Sequence, residues 1–542
     1  MLMKDGDVQS FPLTLDKFLD HAAKWRPTAE VTTARDDGSI GRIGYASLRA
    51  RSVKISGLLR RHGVEQGARV ATLAWNTQGH VEAWFAIMGM GAVCHTLNPR
   101  LTAEQLADML AQSEAQILFV SPDLIGLAGR IAALSPSVSL ILVLDQAEAL
   151  EATPECRADI RLLELMLAEA PRDGNWGDGV SGDVVWGDFP ETAPCGLCFT
   201  SGTTGAPKGV TYTHRSSFLH TLRVLQADVM AVTSRDRLLA VVPMFHANAW
   251  GLPFAAAAVG ARLVLPGRRL DGASLARLIV SEGVTAGVGV PTVWLSLLEH
   301  VEATGLELPS LERIIMGGAP LAPALMQRIE RRLGVIVQTS WGMTELSPSG
   351  TVASPQEGRR SAAVSGRPAV GIDLLLTDEA GKALPEQRGV EGHLKVRGAA
   401  VIQRYFGQDE DAADADGWFA TGDLARIDSE GQLTITGRAK DLIKSGGEWI
   451  NPAEIEAVIG ALPGVALAAV IGRVDAKWGE RPILLVELSA DAPADDEALL
   501  EPLKGRVASW WIPDAVHRLE RMPLAATGKI DKLRLRAEYG AR

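Results

Sequence analysis

The chain has 542 residues, of which 47% are hydrophobic and 22% are charged, and its formal net charge is −11. These are ordinary values for a globular protein, and a chain of this length is expected to form two or more domains. The negative charge gives no basic footprint for nucleic acid or for an anionic membrane. The longest apolar run, residues 83–94, is too short to span a bilayer and predicts a buried helix that leads into a strand.

The four cysteines are too few for a disulfide framework in a chain of this size. Cys195 and Cys198 form a C-x-x-C pair, but neither a second ligand pair nor a helix start accompanies it in the sequence. Both lie in an apolar run, so we expect packing residues. The first 20 residues lack the basic-then-apolar pattern of a signal peptide, and we expect a cytoplasmic, reducing location.

A strand–helix–strand pattern occurs twice along the chain. In the first copy, a helix capped by Thr102 leads to a strand at residues 117–120. In the second copy, a helix capped by Asp271 leads to a strand at residues 285–290. Hydroxyl and carboxylate side chains at these positions satisfy the free N–H groups of a helix start. The two copies predict two related α/β sheets.

The composition changes after residue 370. Short strands at 372–376 and 393–397, separated by Gly/Pro-rich turns, predict a small β-barrel. A further strand at 433–436 precedes a crossing into a smaller domain near Lys440. In that domain Asn451 caps a helix whose first turn contains proline, and two more strands follow.

The most informative segment is the loop of residues 200–210, which combines hydroxyls, glycines and Lys208. Glycines let backbone N–H groups approach phosphate oxygens, hydroxyls donate further hydrogen bonds, and the lysine adds a charge. The loop is not a Walker loop, because Gly209 rather than Ser or Thr follows Lys208. A flexible surface turn is the alternative, but an apolar strand at 195–199 leads straight into the loop. We predict a polyphosphate-binding loop.

This loop and four later motifs resemble those of the adenylate-forming superfamily, which includes acyl-CoA synthetases, luciferases and peptide-synthetase adenylation domains. The later motifs lie at residues 340–345, 421–423, 437–448 and 523–530. All five occur in the family's order and cover nearly the whole chain. The resemblance implies an α/β protein. Its large N-terminal domain, residues 1–437, would contain two helix-flanked sheets and the small β-barrel, and a small mobile α/β C-terminal domain, residues 438–542, would follow a hinge near Lys440.

The family's chemistry follows from what a carboxylic acid needs. A carboxylate is a poor acyl donor, because its leaving group would be oxide. Its attack on the α-phosphate of ATP gives an acyl-adenylate and pyrophosphate, and AMP is then a good leaving group for a thiol. Catalysis of the first step is mostly positioning and neutralisation of phosphate charge. The resemblance therefore implies a carboxylic acid, ATP, Mg²⁺ and CoA as the ligands of the site.

The resemblance also implies residue roles in the first step. Thr200 and Glu345 would hold Mg²⁺, which prefers hard oxygen ligands. Asp423 would bind both ribose hydroxyls with help from Arg438, and Lys529 would lie between the carboxylate and the α-phosphate. The cradle for the β- and γ-phosphates would consist of Ser201, Gly202, Thr203, Thr204, Gly205 and Lys208. The adenine slot would consist of Gly317, Gly318, Ala319, Thr339, Ser340 and Trp341, followed by Gly342 and Thr344.

Most of the family carries tyrosine where this chain has Trp341. Either ring stacks on adenine, so that role is expected to survive, although a tyrosine hydroxyl is lost. His246 would align the carboxylate of the acid. Ala247, Trp250 and Met343 would line the acid pocket, with Trp250 as a gate. The depth of the pocket would depend on packing among Trp250, Val288, Thr292, Trp294 and Met343.

The small domain would carry the second step. After rotation about Lys440, a loop would face the active site and help to admit CoA. This loop contains Lys444, Gly446, Gly447 and Trp449. Its Gly-Gly-Glu-Trp-Ile sequence, and the segments 69–76 and 89–100, resemble medium- and long-chain acyl-CoA synthetases and the methylmercaptopropionate-CoA ligases.

We therefore interpret the chain as an acyl-CoA ligase that acts on medium-chain fatty acids. A 3-methylmercaptopropionate-CoA or arylalkanoate-CoA ligase stays open, as does an acyl-AMP ligase that loads a separate carrier protein. A non-catalytic protein that binds nucleotide or acyl-AMP is a further alternative. Related synthetases with a similar N-terminal segment are homodimers, so we expect a homodimer by analogy.

Overall fold

The computed structural model describes residues 8–145, 156–169, 180–181, 184–200, 207–358, 360–488, 495–525 and 528–541. Most of the predicted phosphate cradle, from Ser201 to Gly205, lies outside the described residues. The protein has an α/β fold with a large region that ends near residue 438 and a small α/β C-terminal domain, which confirms the predicted fold class.

The first part of the large region alternates helices and strands. Its elements are α1 (Asp16–Trp25), β1 (Glu30–Ala34), β2 (Ile40–Gly44), α2 (Tyr45–Arg61), β3 (Arg69–Leu73), α3 (Gln78–Gly89), β4 (Val93–Thr96), α4 (Ala103–Ser113), β5 (Ile117–Val120), α5 (Ile125–Leu134), β6 (Leu140–Val143), β7 (Asp159–Leu162), α6 (Leu163–Glu169), β8 (Val180–Ser181) and β9 (Val184–Val185).

The second part of the large region continues the alternation. Its elements are β10 (Pro194–Phe199), β11 (Gly209–Thr213), α7 (His214–Val224), β12 (Arg237–Ala240), α8 (Leu252–Val259), β13 (Arg262–Leu265), α9 (Gly272–Glu282), β14 (Ala286–Gly289), α10 (Pro291–Thr304), β15 (Arg313–Met316), α11 (Pro323–Leu333), β16 (Ile336–Gly342) and β17 (Ser349–Val352).

Strands dominate the rest of the chain. The elements are β18 (Arg367–Pro368), β19 (Ile372–Thr377), β20 (Glu391–Gly398), β21 (Phe419–Ile427), β22 (Leu433–Arg438), β23 (Ile443–Ser445), β24 (Glu448–Ile450), α12 (Pro452–Ile459), β25 (Val465–Asp475), β26 (Gly479–Leu488), α13 (Asp496–Leu500), β27 (Val516–Leu519) and α14 (Lys532–Tyr539).

The strands of the large region build two large mixed sheets. One has the order β18-β17-β16-β15-β14-β12-β13-β1-β2 and is parallel from β16 to β1. The other has the order β11-β10-β4-β3-β5-β6-β7 and is parallel from β10 to β7. A core cluster that includes Cys94, Phe119, Leu238 and Val288 joins side chains of both sheets.

The predicted internal repeat occupies equivalent places in the two sheets. The unit β4–α4–β5 flanks β3, and the unit β13–α9–β14 flanks β12. Both predicted caps are present: the hydroxyl of Thr102 accepts a hydrogen bond from the backbone N–H of Gln105, and the carboxylate of Asp271 accepts one from Ser274. The apolar run at 83–94 forms the end of the buried helix α3 and the start of β4.

An antiparallel sheet of order β19-β20-β21-β22 lies where the small barrel was predicted. The C-terminal domain has the strand order β24-β23-β26-β25, and β27 pairs in parallel with β26. The side chain of Asn451 caps α12 as predicted, and its Nδ2 donates a 2.7 Å hydrogen bond to the carbonyl of Thr436. No helix in the described ranges is long and apolar enough to cross a membrane.

Candidate active site

The predicted site residues gather at the carboxyl ends of the parallel strands of the larger sheet. The strand β12 leads to His246, β14 leads to Thr292, and β15 leads to Gly317. Trp341 lies at the end of β16, beside them. Ligands commonly bind at this edge of an open α/β sheet.

Gly317 and Gly318 form a narrow floor between these residues. A Cβ atom at Gly317 would lie 2.2 Å from Oγ of Ser340 and 3.0 Å from the ring of Trp250. A Cβ atom at Gly318 would lie 3.6 Å from both the Trp250 ring and Cε of Lys529. Position 317 therefore requires glycine, and the lysine of the C-terminal domain reaches the same floor as the proposed gate.

Lys529 is held over this floor by the chain that precedes it. The hydroxyl of Thr292, in the first turn of α10, donates a 3.2 Å hydrogen bond to the carbonyl of Gly528. Burial first and then the charge of Arg438 lower the pKa of Lys529 to about 8, and Asp423 opposes the shift. The ammonium group is thus poised to gain or lose its proton near neutral pH.

Asp423 is bonded on both carboxylate oxygens. Arg438 is its cross-strand partner in the β21–β22 pair, and Nε of Arg438 lies 2.8 Å from Oδ1. The indole Nε1 of Trp341 donates a 2.8 Å hydrogen bond to Oδ2. Burial raises the pKa of Asp423, whereas Arg438 and the indole N–H favour the ionised form. The residue that replaces the family's tyrosine therefore still supplies a hydrogen-bond donor.

Glu345 has a partner that the sequence analysis missed. The hydroxyl of Tyr405 donates a 2.9 Å hydrogen bond to Oε1 of Glu345, and Nζ of Lys208 lies 4.8 Å from the centre of the Tyr405 ring. The backbone N–H of Phe406 donates to the carbonyl of Gly209, which fixes this segment beside the phosphate loop. Burial raises the pKa of Glu345, and Tyr405 and Lys208 oppose the shift.

The two ends of the predicted phosphate-binding segment meet. The backbone N–H of Thr200 donates to the carbonyl of Lys208 at 2.9 Å, and the N–H of Lys208 donates to Oγ1 of Thr200 at 3.4 Å. Just before the loop, Cys195 and Cys198 are buried and free, as expected of packing residues. Burial raises the pKa of Cys198 to about 11, and the nearby carboxylate of Glu345 adds to the rise.

The segment Ala247–Gly251 is a left-handed turn. The φ angles of Ala247, Asn248, Ala249 and Trp250 lie between 44° and 52°, and that of Gly251 is 74°. This conformation costs about 1–2 kcal/mol for each residue that has a Cβ atom. A bond from the N–H of Ala247 to Sγ of Cys198 and a bond from the N–H of Ala249 to the carbonyl of His246 help to hold it. Such strain commonly marks functional segments.

His246 begins this turn, and the charge of Lys529 acts on its side chain. It is half-buried, and burial together with the charge of Lys529 lowers its pKa to about 4. The imidazole is therefore neutral at pH 7, so one ring nitrogen can donate a hydrogen bond and the other can accept one.

The residues proposed to set the pocket depth divide between two faces of β14. Trp250, Val288 and Met343 belong to the core between the two sheets. Trp294 is fully buried in the separate layer formed with α9, α10 and α11. A Cβ atom at Gly287 would lie 2.3 Å from the Trp294 ring, and the neighbouring positions 287 and 288 point to opposite faces of the strand. Trp294 and Val288 therefore lie on opposite faces of β14, and we correct the expectation that they pack together.

The remaining residues of the predicted adenine slot support the end of β16. Ser340 donates through its hydroxyl to the carbonyl of Met316 at 3.0 Å, Thr339 donates to the carbonyl of Val364, and the carbonyl of Thr344 accepts from Tyr212. A Cβ atom at Gly342 would lie 2.3 Å from the carbonyl oxygen of Pro348. Ala319 is half-buried in the loop after β15.

The Gly-Gly loop of the C-terminal domain makes its described contacts within that domain. The N–H of Gly446 donates to the carbonyl of Trp478, and the N–H of Lys444 donates to Glu480. Trp449 is 46% exposed and lies beneath the ammonium of Lys444. Gly447 has a φ of 94°. Lys440 lies in a short 3₁₀ turn, Ala439–Asp441, between β22 and β23. The structure therefore brings Lys529, but not this loop, to the site.

The sequence matches the model of an AMP-binding enzyme over residues 19–406 and that of an AMP-binding enzyme C-terminal domain over residues 454–529. It is 38% identical to the 3-methylmercaptopropionyl-CoA ligase of Ruegeria lacuscaerulensis, over 98% of each chain. It is 38% identical to the medium-chain-fatty-acid–CoA ligase of Ectopseudomonas oleovorans, over 99% of this chain and 97% of that one. It is 39% identical to the long-chain-fatty-acid–CoA ligase of Thermus thermophilus, over 97% and 96%.

Solved structures show the same architecture. The ATP-bound MatB from Rhodopseudomonas palustris superposes with a TM-score of 0.81 at 26% identity, over 98% of this chain and 99% of that one. The o-succinylbenzoate CoA synthetase from Bacillus subtilis, in complex with ATP and a magnesium ion, gives a TM-score of 0.78 at 26% identity, over 96% and 99%. The chain therefore belongs to the AMP-binding, adenylate-forming family, and it is an acid–thiol ligase of the acyl-CoA synthetase class.

Proposed function

We propose that this ligase converts a medium-chain fatty acid, ATP and CoA into acyl-CoA, AMP and pyrophosphate through an acyl-adenylate. The observation that carries the proposal is the position of Lys529. Cε of this lysine lies 3.6 Å from the position that a Cβ atom would have at residue 318, beside Trp250. The lysine also interacts electrostatically with Asp423 and Glu345. This position supports a role for the positive charge of Lys529 between the proposed acid pocket and the proposed nucleotide site.

In the first half-reaction, a carboxylate oxygen attacks the α-phosphorus, and the bond from phosphorus to pyrophosphate breaks. Lys529 stabilises the negative charge that builds up between the two groups, and Asp423 with Arg438 holds the ribose. The neutral imidazole of His246 orients the carboxylate of the acid. These roles rest on the geometry above and on the family's chemistry.

Thr200 and Glu345 fit a magnesium ion. Both present hard oxygen donors, and Mg²⁺ usually takes one or two protein ligands besides phosphate oxygens. The Bacillus subtilis synthetase was solved in complex with ATP and a magnesium ion, which supports the choice of this ion. When bound, the ion would neutralise phosphate charge. Lys208 and the loop of Ser201 to Gly205 would cradle the outer phosphates.

In the second half-reaction, the sulfur of CoA attacks the acyl carbonyl carbon, and the carbon–oxygen bond to AMP breaks. We propose that the C-terminal domain, beginning at residue 438, rotates about Lys440 to allow this. The rotation would withdraw Lys529 and bring Lys444, Gly446, Gly447 and Trp449 to the site. The exposed loop and its glycine φ angles of 61° and 94° support a segment built for close approach to a ligand.

The choice of acid is the finest part of the proposal. The relatives act, by their names, on medium-chain, long-chain and methylmercapto acids, so a 3-methylmercaptopropionate or arylalkanoate ligase is the second candidate. Trp250 stands before the alanine-rich helix α8. Each buried methylene contributes about 0.8 kcal/mol, so kcat/KM should rise about three- to fourfold per carbon until the pocket ends.

The test measures AMP release over straight-chain acids from about two to sixteen carbons, the thioether acid and a phenylpropanoid acid, with CoA or a carrier protein as acceptor. We expect a medium-chain optimum with CoA, and we expect Trp250→Ala to shift it to longer acids or flatten the profile. A peak at the thioether or aromatic acid would overturn the chain-length assignment. Preference for carrier protein would overturn the CoA assignment, and no AMP release would indicate a binding protein. The proposed homodimer is tested by light scattering.

A further inference from the structure

Trp341 makes a contact that stacking on adenine does not require. Its indole Nε1 lies 2.8 Å from Oδ2 of Asp423, although 82 positions separate the two residues in the chain. Trp341 is in the larger sheet and Asp423 is in β21 of the antiparallel sheet. The hydrogen bond therefore connects the adenine slot to the carboxylate proposed to bind ribose.

The hydrogen bond from Trp341 uses only part of the acceptor capacity of the Asp423 carboxylate. An ionised carboxylate has about four acceptor sites, two on each oxygen. Arg438 occupies one on Oδ1, and Trp341 occupies one on Oδ2. In the part of the chain that the structure describes, these two contacts leave one acceptor site on each oxygen for a ligand. Two acceptors, side by side, match the two neighbouring hydroxyls of a ribose.

The chemical nature of the donor group fixes the direction of the hydrogen bond between Trp341 and Asp423. An indole N–H can only donate, whereas a tyrosine hydroxyl can donate or accept. A donor-only group beside the carboxylate keeps Asp423 an acceptor, and a hydrogen bond to an ionised group is stronger than one between neutral groups. The positive charges of Arg438, Lys529 and Lys440 also favour the ionised carboxylate, because each of them lowers the pKa of Asp423.

The indole ring is fixed by its surroundings. Trp341 is 8% exposed, and a Cβ atom at Gly350 would lie 2.4 Å from its Cζ3 atom. Thr351, the next residue, is the antiparallel partner of Trp341 in the β16–β17 pair. The glycine thus makes room for the ring against the neighbouring strand, and the ring edge that carries Nε1 is directed at Asp423.

We infer that Trp341 is a positioning residue that holds Asp423 for the ribose hydroxyls and so makes the site select ribonucleotides over deoxyribonucleotides. The inference rests on the ribose-binding role of Asp423 in the proposed function. If Trp341 only stacked on adenine, its replacement would weaken the binding of both kinds of nucleotide equally, because the adenine ring is the same in both.

The test is equilibrium binding of AMP, 2′-deoxyAMP and 3′-deoxyAMP by calorimetry to the full-length protein and its variants. Trp341→Phe keeps an aromatic ring without the N–H. Replacement of Trp341 by 3-benzothienylalanine keeps the shape of the indole and exchanges its N–H for sulfur, so it serves if the phenylalanine variant does not fold. Asp423→Asn tests the carboxylate itself.

We expect the unaltered protein to prefer AMP over either deoxynucleotide about tenfold, as the loss of a hydrogen bond to a charged group implies. Both Trp341 replacements should reduce that preference to about twofold, mainly by weakening AMP. Equal weakening of AMP and the deoxynucleotides would overturn the inference and leave Trp341 as a stacking residue. If Asp423→Asn keeps the full preference, the ribose role of Asp423 fails first, and the inference falls with it.

Discussion

The proposed adenylate site and the Gly-Gly loop differ in how many contacts hold their residues in place. Asp423 has a protein partner on each oxygen, Glu345 is bonded to Tyr405, and the loop before Lys529 is attached to Thr292. In contrast, Lys444 and Trp449 face solvent on the C-terminal domain, and Trp449 is 46% exposed.

This difference supports the proposal that two positions of the C-terminal domain each serve one half-reaction. The described contacts fit the formation of the adenylate, which needs fixed charges around the phosphates. Attack by the thiol needs an open path to the acyl carbon, which the proposed rotation of the C-terminal domain would provide. The following experiments separate the two half-reactions, from the largest expected effect to the smallest.

Lys529→Ala should have the largest effect on the assembled site. We expect adenylation to fall on the order of 10²–10³-fold, because a preorganised charge is lost. Thioester formation from synthetic acyl-AMP and CoA should be spared, since Lys529 would be withdrawn in that step. Pyrophosphate exchange and single-turnover thioester formation measure the two steps, and an equal loss of both would show that one lysine serves both.

Lys440→Pro should affect the second half-reaction, in which the thioester forms. Proline fixes φ and removes an N–H, so it should block the change of backbone angles at the hinge. We expect acyl-CoA output to fall on the order of 100-fold, because the second site is not assembled, while pyrophosphate exchange persists. A parallel loss of both activities would place the hinge elsewhere.

The pH profile of adenylation should reveal the environment of Lys529. Its pKa is lowered to about 8, first by burial and then by Arg438, so the ammonium is charged below pH 8 and neutral above it. We expect kcat/KM for ATP in pyrophosphate exchange to fall about tenfold between pH 7 and pH 9. Lys529→Arg should remove this limb, because arginine stays charged. A profile that is flat to pH 9 in the unaltered enzyme would contradict the assignment.

Thr292→Val should give the smallest change. It keeps the size of the side chain but removes the hydroxyl that donates to Gly528. Loss of one neutral hydrogen bond should slow adenylation about three- to tenfold. Thioester formation from acyl-AMP should not change, since this contact would be broken there, and Thr292→Ser should behave like the unaltered enzyme. Equal slowing of both steps would mean that Thr292 acts on the pocket and not on the lysine loop.

Local chemistry made much of the fold predictable. The caps at Thr102, Asp271 and Asn451 and the strand before Thr200 depend on neighbouring residues, and the structure confirms them. The repeat could be recognised because the same local signals occur in the same order in both copies.

The missed features of the site all join distant segments. Tyr405 meets Glu345 across 60 positions, and Thr292 meets Gly528 across 236. These contacts depend on how the sheets pack, and a lone tyrosine or threonine gives no signal of it. The placement of Trp294 failed for a related reason, since the face of β14 it covers is decided by register and not by composition.

The left-handed turn has a consequence for how relatives of this protein could change their acids during evolution. Ala247 and Ala249 are buried at positive φ, where larger or β-branched residues are strongly disfavoured, and a side chain at Gly251 would meet His220 at 2.9 Å. The buried positions of the segment are thereby closed to larger side chains, whereas Trp250, which shares the positive φ, is half-buried. Trp250 is the half-buried member whose ring borders the glycine floor. With the gating role that we propose for Trp250, a substitution at position 250 would change the accepted acid while the backbone of the turn stays the same.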